Sequence, residues 1–71
     1  MKSTQFANLV KEVRKQLGLS QEDLARKLGV SFSTVNRWEN NKSSPSKLAK
    51  AQFDGLIADM KDRGLLNLPT A

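Results

Sequence analysis

Four polar side chains in the middle of the sequence have the spacing of a recognition surface. They lie at positions i, i+3, i+4 and i+7 of one segment: Ser33, Asn36, Arg37 and Asn40. In an α-helix this spacing places side chains on one face, and all four can form directed hydrogen bonds. The segment therefore predicts a helix that presents hydrogen-bonding groups to a partner.

The residue types that are missing narrow the chemistry further. The 71 residues contain no His and no Cys. The sequence therefore excludes an imidazole base, a Ser-His-Asp triad, a thiol nucleophile, a disulfide and a zinc site with His or Cys ligands. We expect no enzyme activity, no cofactor and no bound metal. The lack of disulfides is consistent with a reducing cytoplasm.

The charge of the sequence is positive and unevenly placed. Twelve Lys and Arg against seven Asp and Glu give a net charge of +5, and ten of the basic but only four of the acidic residues lie in residues 1–50. This positive charge indicates a polyanionic partner. It is equally consistent with Lys-rich helices whose charge only keeps the protein soluble. No apolar run approaches the roughly 18 to 20 residues of a membrane helix. We therefore expect that the protein does not associate with a membrane.

Hydrophobic periodicity predicts the elements that must hold the polar face. A first helix is predicted to start at residue 3 or 4 and to end at Gly18; its apolar stripe consists of Phe6, Val10, Val13 and Leu17. A short second helix is predicted between Ser20, an N-cap that forms a capping box with Asp23, and Gly29. Its apolar face consists of Leu24, Ala25 and Leu28.

The second and third helices make a helix-turn-helix. The turn covers residues 29–31, and its last residue can cap the third helix. Val35 and Trp38 turn inward from that helix at i and i+3, and the small side chain of Ala25 lets the two helices approach closely. We predict that this core covers about residues 20–40.

The fourth helix is predicted to begin at Pro45 with Ser44 as its cap and to end at Gly64. Its stripe consists of Ala49, Phe53, Leu56, Ile57 and Met60. No segment alternates with the period of a strand. The predicted fold class is all-α, a compact bundle of four helices, or of five if residues 65–68 form a short helical turn, in one domain over residues 1–71.

Two segments carry a resemblance to a known family. They are Gln-Glu-Asp-Leu-Ala-Arg-Lys-Leu-Gly-Val over residues 21–30 and Val-Asn-Arg-Trp-Glu-Asn over residues 35–40, followed by a Lys and a later Pro. These segments resemble the Cro and phage-repressor type of helix-turn-helix, the XRE-like family, over about residues 6–60. The resemblance implies a lambda-repressor-like DNA-binding domain whose third helix enters the major groove of double-stranded DNA. It also implies a cytoplasmic transcriptional regulator of bacterial, archaeal or phage type.

The resemblance further implies roles for individual residues. The positions that match base-reading positions of the family are Ser31, Phe32, Ser33, Thr34, Asn36 and Arg37. The positions that match phosphate-binding positions are Gln21, Asn40, Lys42, Ser43 and Lys47. Arg37 suits guanine and Asn36 suits adenine. Arg14 and Glu39 match an ion pair between the first and third helices, with a phosphate contact by Arg14 as the alternative.

Two of the base-reading positions leave alternatives open. Phe32 stands where many relatives have a polar residue, and its ring either touches a thymine methyl group or folds back onto the second helix. Thr34 lies at the edge of the polar face, where it either meets a base or touches phosphate only.

The apolar tail, residues 64–71, also has two interpretations. Leu65, Leu66 and Leu68 either close the core of the monomer or form the surface of a homodimer. The same tail supports the alternative function, a protein-interaction or antitoxin-type module. We expect no small-molecule ligand, because the helix-turn-helix domain uses nearly all 71 residues.

Overall fold

Four helices account for most of the molecule. The computed structural model describes residues 3–68, with side chains from Gln5 onward. The helices are α1 (Ser3–Leu17), α2 (Gln21–Leu28), α3 (Phe32–Glu39) and α4 (Lys47–Asp62), and residues 3–68 contain no strand. The all-α prediction is confirmed. None of the four helices is long and apolar enough to cross a membrane.

The ends of α2 and α3 form as the sequence predicts. The Oγ of Ser20 accepts from the backbone N–H of Asp23 at 3.0 Å, and the Asp23 carboxylate accepts from the Ser20 N–H at 3.2 Å. Gly29 ends α2 with a φ of 71°, a left-handed conformation that favours glycine. The Oγ of Ser31 then accepts from the Thr34 N–H at 3.1 Å. These caps give partners to backbone groups at the helix ends that have none within the helix.

The predicted start of the fourth helix is wrong. Ser46, not Ser44, is the N-cap, and α4 begins at Lys47 rather than at Pro45. Ser46 has the extended backbone that an N-cap requires, and its Oγ accepts from the Ala49 N–H at 3.1 Å. A helix that began at Pro45 would force Ser46 into helical geometry and break this bond. Two serines flank the proline, and cap preference alone does not separate them.

Three aromatic rings join α1, α3 and α4. The Phe6 ring lies 5.4 Å from the Trp38 ring and 5.4 Å from the Phe53 ring, edge to face in both contacts. This geometry aligns a ring edge with the electron-rich face of its neighbour. The other buried apolar residues around the three rings are Val10, Val13, Leu24, Ala25, Leu28, Val35, Ala49 and Leu66. The core therefore holds one side of α3 and leaves the opposite side to solvent.

The segment after α4 folds back onto α1 without forming a fifth helix. The Gln16 side chain donates to the Asn67 carbonyl oxygen at 3.1 Å and accepts from the Asn67 N–H at 2.8 Å. Leu66 is buried and Leu68 packs against the core, whereas Leu65 is 53% exposed. The positions of Leu66 and Leu68 agree with the interpretation that the tail closes the core of the monomer. Residues 69–71 of the predicted tail lie outside the described residues.

Candidate nucleic-acid interface

The polar face of α3 points away from the core. Ser33, Arg37 and Asn40 are exposed and Asn36 is half-buried, while Trp38 is buried on the opposite side. Val35 and Trp38 are buried and anchor α3 in the core, so the polar side chains project from the other side of the helix. Such a helix can place several hydrogen-bonding groups at once against one partner surface.

The first turn of α3 carries the other candidate base-reading residues. Phe32 is 48% exposed, so its ring is not packed into the core and remains open to a partner. The hydroxyls of Ser31 and Thr34 lie 2.9 Å apart and hydrogen-bond to each other. Because the Ser31 hydroxyl also caps the helix, these two residues hold the start of α3 in addition to any contact with a partner.

The segment after α3 presents three of the candidate phosphate contacts, which are Lys42, Ser43 and Lys47. Asn41 adopts a φ of 60°, and the Lys42 N–H then donates to the Arg37 carbonyl oxygen at 2.8 Å. This bond closes the C-terminal end of α3. The Lys42 side chain is exposed, Ser43 is half-buried, and Lys47 is exposed in the first turn of α4. The loop and the first turn of α4 therefore present one ammonium group each beyond the end of α3.

Arg14 of α1 and Glu39 of α3 form a two-bond ion pair. Arg14 Nε lies 2.7 Å from Glu39 Oε2, and Arg14 Nη2 lies 3.0 Å from Oε1. Arg14 Nη1 donates to the Leu19 carbonyl oxygen at 3.1 Å. The side chain of Glu39 is only 4% exposed and that of Arg14 is 27% exposed. Arg14 thus ties α1 both to α3 and to the segment before α2.

The environment of Glu39 favours its charged form. Burial raises the pKa of its carboxyl, but the hydrogen bonds from Arg14 and Gln21 and the positive charges of Arg14 and Lys11 outweigh burial, so the pKa lies below its ordinary value. The same pairing raises the pKa of Arg14, chiefly through its hydrogen bond to Glu39 and against the effect of burial. At neutral pH the pair is therefore fully charged.

A row of hydrogen bonds leads from Glu39 to the exposed face of α3. Gln21 Nε2 donates to Glu39 Oε1 at 3.1 Å, and Asn36 Nδ2 donates to Gln21 Oε1 at 3.1 Å. Asn40 Nδ2 then donates to Asn36 Oδ1 at 3.1 Å and to the Asn36 carbonyl oxygen at 2.8 Å. These four residues, called the Glu39 network below, join α2 to α3.

Sequence reasoning gave the members of the Glu39 network separate roles and did not predict their contacts. The spacing of Asn36 and Asn40, i and i+4, is a signal that could have linked those two. The bonds of Gln21 to Glu39 and to Asn36 depend on how α2 packs against α3. No local pattern in the sequence reports that packing.

A family model matches the chain over the part that builds this surface. The model, described as helix-turn-helix, matches residues 10–49, which is more than half of the chain. The chain belongs to the helix-turn-helix family. The matched range includes all of α2 and α3, so the helix-turn-helix of this family member is the pair whose second helix carries the polar face. The resemblance to XRE-type proteins is confirmed.

Curated relatives of this helix-turn-helix protein match the same part of the chain. It is 44% identical over 43 residues to antitoxin HipB of Escherichia coli O6:H1. The matched segment covers 61% of this chain and 46% of that protein. Over 38 residues it is 47% identical to antitoxin HipB of Escherichia coli K12, covering 54% of this chain and 43% of the relative.

A relative from an archaeon has a similar identity. The chain is 47% identical over 38 residues to an uncharacterized HTH-type transcriptional regulator of Methanothermobacter thermautotrophicus, covering 54% of this chain and 55% of that protein. The chain thus spans about half the length of the curated relatives it matches. No solved structure matches the chain significantly.

Proposed function

We propose that this protein binds double-stranded DNA in a sequence-specific manner and acts as a transcriptional regulator. The observation that carries the proposal is the outward polar face of α3 within a helix-turn-helix whose opposite side is anchored by Trp38. In this motif the second helix enters the major groove. The regulator from Methanothermobacter thermautotrophicus, 47% identical over the matched segment, supports the same function.

The base contacts of the proposal come from α3. Arg37 donates to O6 and N7 of guanine, and Asn36 pairs with N6 and N7 of adenine. The exposed ring of Phe32 contacts a thymine methyl group, and Ser33 hydrogen-bonds to a base beside it.

The phosphate contacts of the proposal lie on both sides of α3. Gln21 holds one phosphate at the N-terminus of α2, where free backbone N–H groups favour an anion. On the other side, Lys42, Ser43 and Lys47 hold the backbone of the DNA, whereas both side-chain N–H groups of Asn40 already donate to Asn36. Neutralised phosphates release counterions, so affinity falls steeply with salt.

The remaining parts of the proposal concern the partner and the place of action. Two copies bind two half-sites about one helical turn apart as a homodimer, and exposed Leu65 belongs to the face that the tail offers for this contact. The protein acts in the cytoplasm, where its DNA lies. It carries out no catalysis, and we propose no metal, cofactor or small-molecule ligand.

Selection from a random pool of DNA duplexes tests the proposal. We expect one motif to be enriched, and we expect fluorescence anisotropy to show tighter binding to that motif than to its scrambled version at every salt concentration. Equal binding to both duplexes, or no enrichment, would contradict sequence-specific recognition.

An antitoxin role is a second candidate function, favoured by the two HipB relatives. In this role the protein binds a toxin in addition to DNA. Co-expression tests it: the chain should restore growth to cells of its host that express a toxic partner from the same genome. If the chain restores growth to none of these cells but still selects a DNA motif, the antitoxin role is contradicted and the regulator function stands.

A further inference from the structure

The hydrogen bonds of the Glu39 network run in one donor-to-acceptor direction. A carboxylate accepts hydrogen bonds and donates none, so Glu39 Oε1 must receive an N–H from Gln21, at 3.1 Å. The NH₂ group of Gln21 is therefore turned toward Glu39, and its oxygen is turned toward Asn36. Asn36 Nδ2 donates to that oxygen, also at 3.1 Å.

The direction continues to the exposed end of the network. Because the NH₂ group of Asn36 is turned toward Gln21, its Oδ1 is turned toward Asn40, which donates to it at 3.1 Å. A side-chain amide has two N–H donors and two acceptor lone pairs. These two bonds therefore leave Asn36 one donor and one acceptor for a base, in a defined order along the surface.

The anchor of this direction lies in the protein interior. Glu39 is held from α1 by two bonds of Arg14, at 2.7 and 3.0 Å, and its side chain is almost completely shielded from water. A neutral amide in place of the carboxylate could donate or accept, so it would allow Gln21 to turn over. A reversed Gln21 would turn its NH₂ group against that of Asn36, while Asn40, anchored on the Asn36 carbonyl oxygen at 2.8 Å, still donates to Asn36 Oδ1. The two neighbours of Asn36 would then oppose each other, and its amide would lose its single preferred order.

We propose that Glu39 is a positioning residue for base recognition, which acts through Gln21 to fix the order in which Asn36 presents its donor and acceptor. An adenine edge offers the N7 acceptor and the N6 donor in one order only. An Asn36 amide that is turned over therefore fits that base poorly. The ion pair that packs α1 against α3 thus also sets the base preference at one position. This inference rests on the proposed function and adds a source of specificity to it.

Selection from the random duplex pool with four forms of the protein tests the inference. They are the wild type, Asn36→Ala, Glu39→Gln, which removes the charge but keeps the side-chain size, and Gln21→Met, which keeps the length but removes both hydrogen bonds. We expect Asn36→Ala to identify the base pair that Asn36 reads. Glu39→Gln and Gln21→Met should each lose about tenfold in preference at that same base pair and keep the preferences elsewhere.

Two controls separate positioning from stability and from affinity. Leu17→Ala removes an α1 side chain that packs against the core outside the Glu39 network, so it destabilises the fold without touching the amides. Lys42→Ala removes a candidate phosphate contact. Both should keep every base preference. Circular dichroism selects a temperature at which all variants are folded, and Gln21→Met decides alone if Glu39→Gln does not fold.

Three outcomes would overturn the inference. If Glu39→Gln and Gln21→Met bind more weakly but keep the preference at the Asn36 base pair, the ion pair is structural only. An Asn36→Ala variant that keeps the full motif would show that Asn36 reads no base, with the proposed function intact. A wild type that selects no motif overturns the proposed function itself, and the inference with it.

Discussion

Asn36 of α3 donates to the side-chain oxygen of Gln21 at 3.1 Å, although the two residues are 15 positions apart and lie on different helices. The bond links a candidate base-reading residue to a candidate phosphate-binding residue. Because Gln21 also donates to Glu39, the pair is connected to the interior. The amides of the candidate interface are therefore ordered before any partner is bound, which lowers the entropy cost of ordering them on binding.

Replacement of Arg37 by Ala should weaken binding to the selected motif by about 1 to 3 kcal/mol and relax the preference at one base pair. The guanidinium is exposed on the polar face and suits the two acceptors of guanine. Competition anisotropy with motif duplexes mutated at each base pair measures both effects. Arg26→Ala is the matched control, because Arg26 is exposed on α2 and pairs with Asp23. A motif preference that survives Arg37→Ala unchanged would remove Arg37 from the base contacts.

Replacement of Lys42 by Ala should weaken binding to all duplexes to a similar extent and lower the slope of log affinity against log salt by about 1. A phosphate contact is independent of base sequence and releases one condensed counterion. Anisotropy titrations at several salt concentrations, with motif and scrambled duplexes, measure the slope. Lys61→Ala, at the other end of α4, should leave it nearly unchanged. Equal slopes for wild type and Lys42→Ala would exclude the phosphate contact.

The two neighbouring leucines of the tail should respond differently to replacement by Ala. Leu66 is 7% exposed and closes the core, so Leu66→Ala should lower the free energy of unfolding by about 2 to 3 kcal/mol. Leu65 is 53% exposed, so Leu65→Ala should change it by less than about 0.5 kcal/mol. Urea unfolding measures both values, and sedimentation shows whether Leu65→Ala weakens self-association. Similar losses of stability for the two variants would contradict the placement of the tail.

Acid should destabilise the fold partly through Glu39. Despite burial, the contacts with Arg14 and Gln21 keep the pKa of Glu39 below its ordinary value of 4.5. A carboxyl with a lowered pKa in the folded state stabilises the fold fully above its ordinary pKa, and the effect is lost as the pH falls through the folded value. In urea unfolding from pH 7 down to pH 3, the free energy of unfolding should therefore fall less for Glu39→Gln than for the wild type. Parallel curves would show that Glu39 contributes nothing to the acid response.

The local elements of the fold were predictable, because their signals are local. The Ser20–Asp23 capping box and Gly29 mark the ends of α2 within three or four residues of sequence. The start of α4 was not, since Ser44 and Ser46 both have a side chain suited to capping. Only the backbone geometry, set by the whole loop, selects Ser46.

The candidate site was predictable as a surface but not as a network. The spacing of Ser33, Asn36, Arg37 and Asn40 identifies the polar face of α3. The bonds from Gln21 to Glu39 and Asn36 require the distance between α2 and α3, which results from packing of the core. Under the positioning role proposed for Glu39, the base preference at the Asn36 position depends on those bonds, so the polar face alone does not predict it.

The most direct test of DNA binding through α3 is an amide-resolved NMR titration with the selected duplex at low salt. We predict that chemical-shift changes concentrate at Gln21, residues 31–40 and Lys42, while the outer face of α4 around Asp54 and Asp59 stays unchanged. Shifts of equal size at every Lys, or no shifts in residues 31–40, would contradict the account.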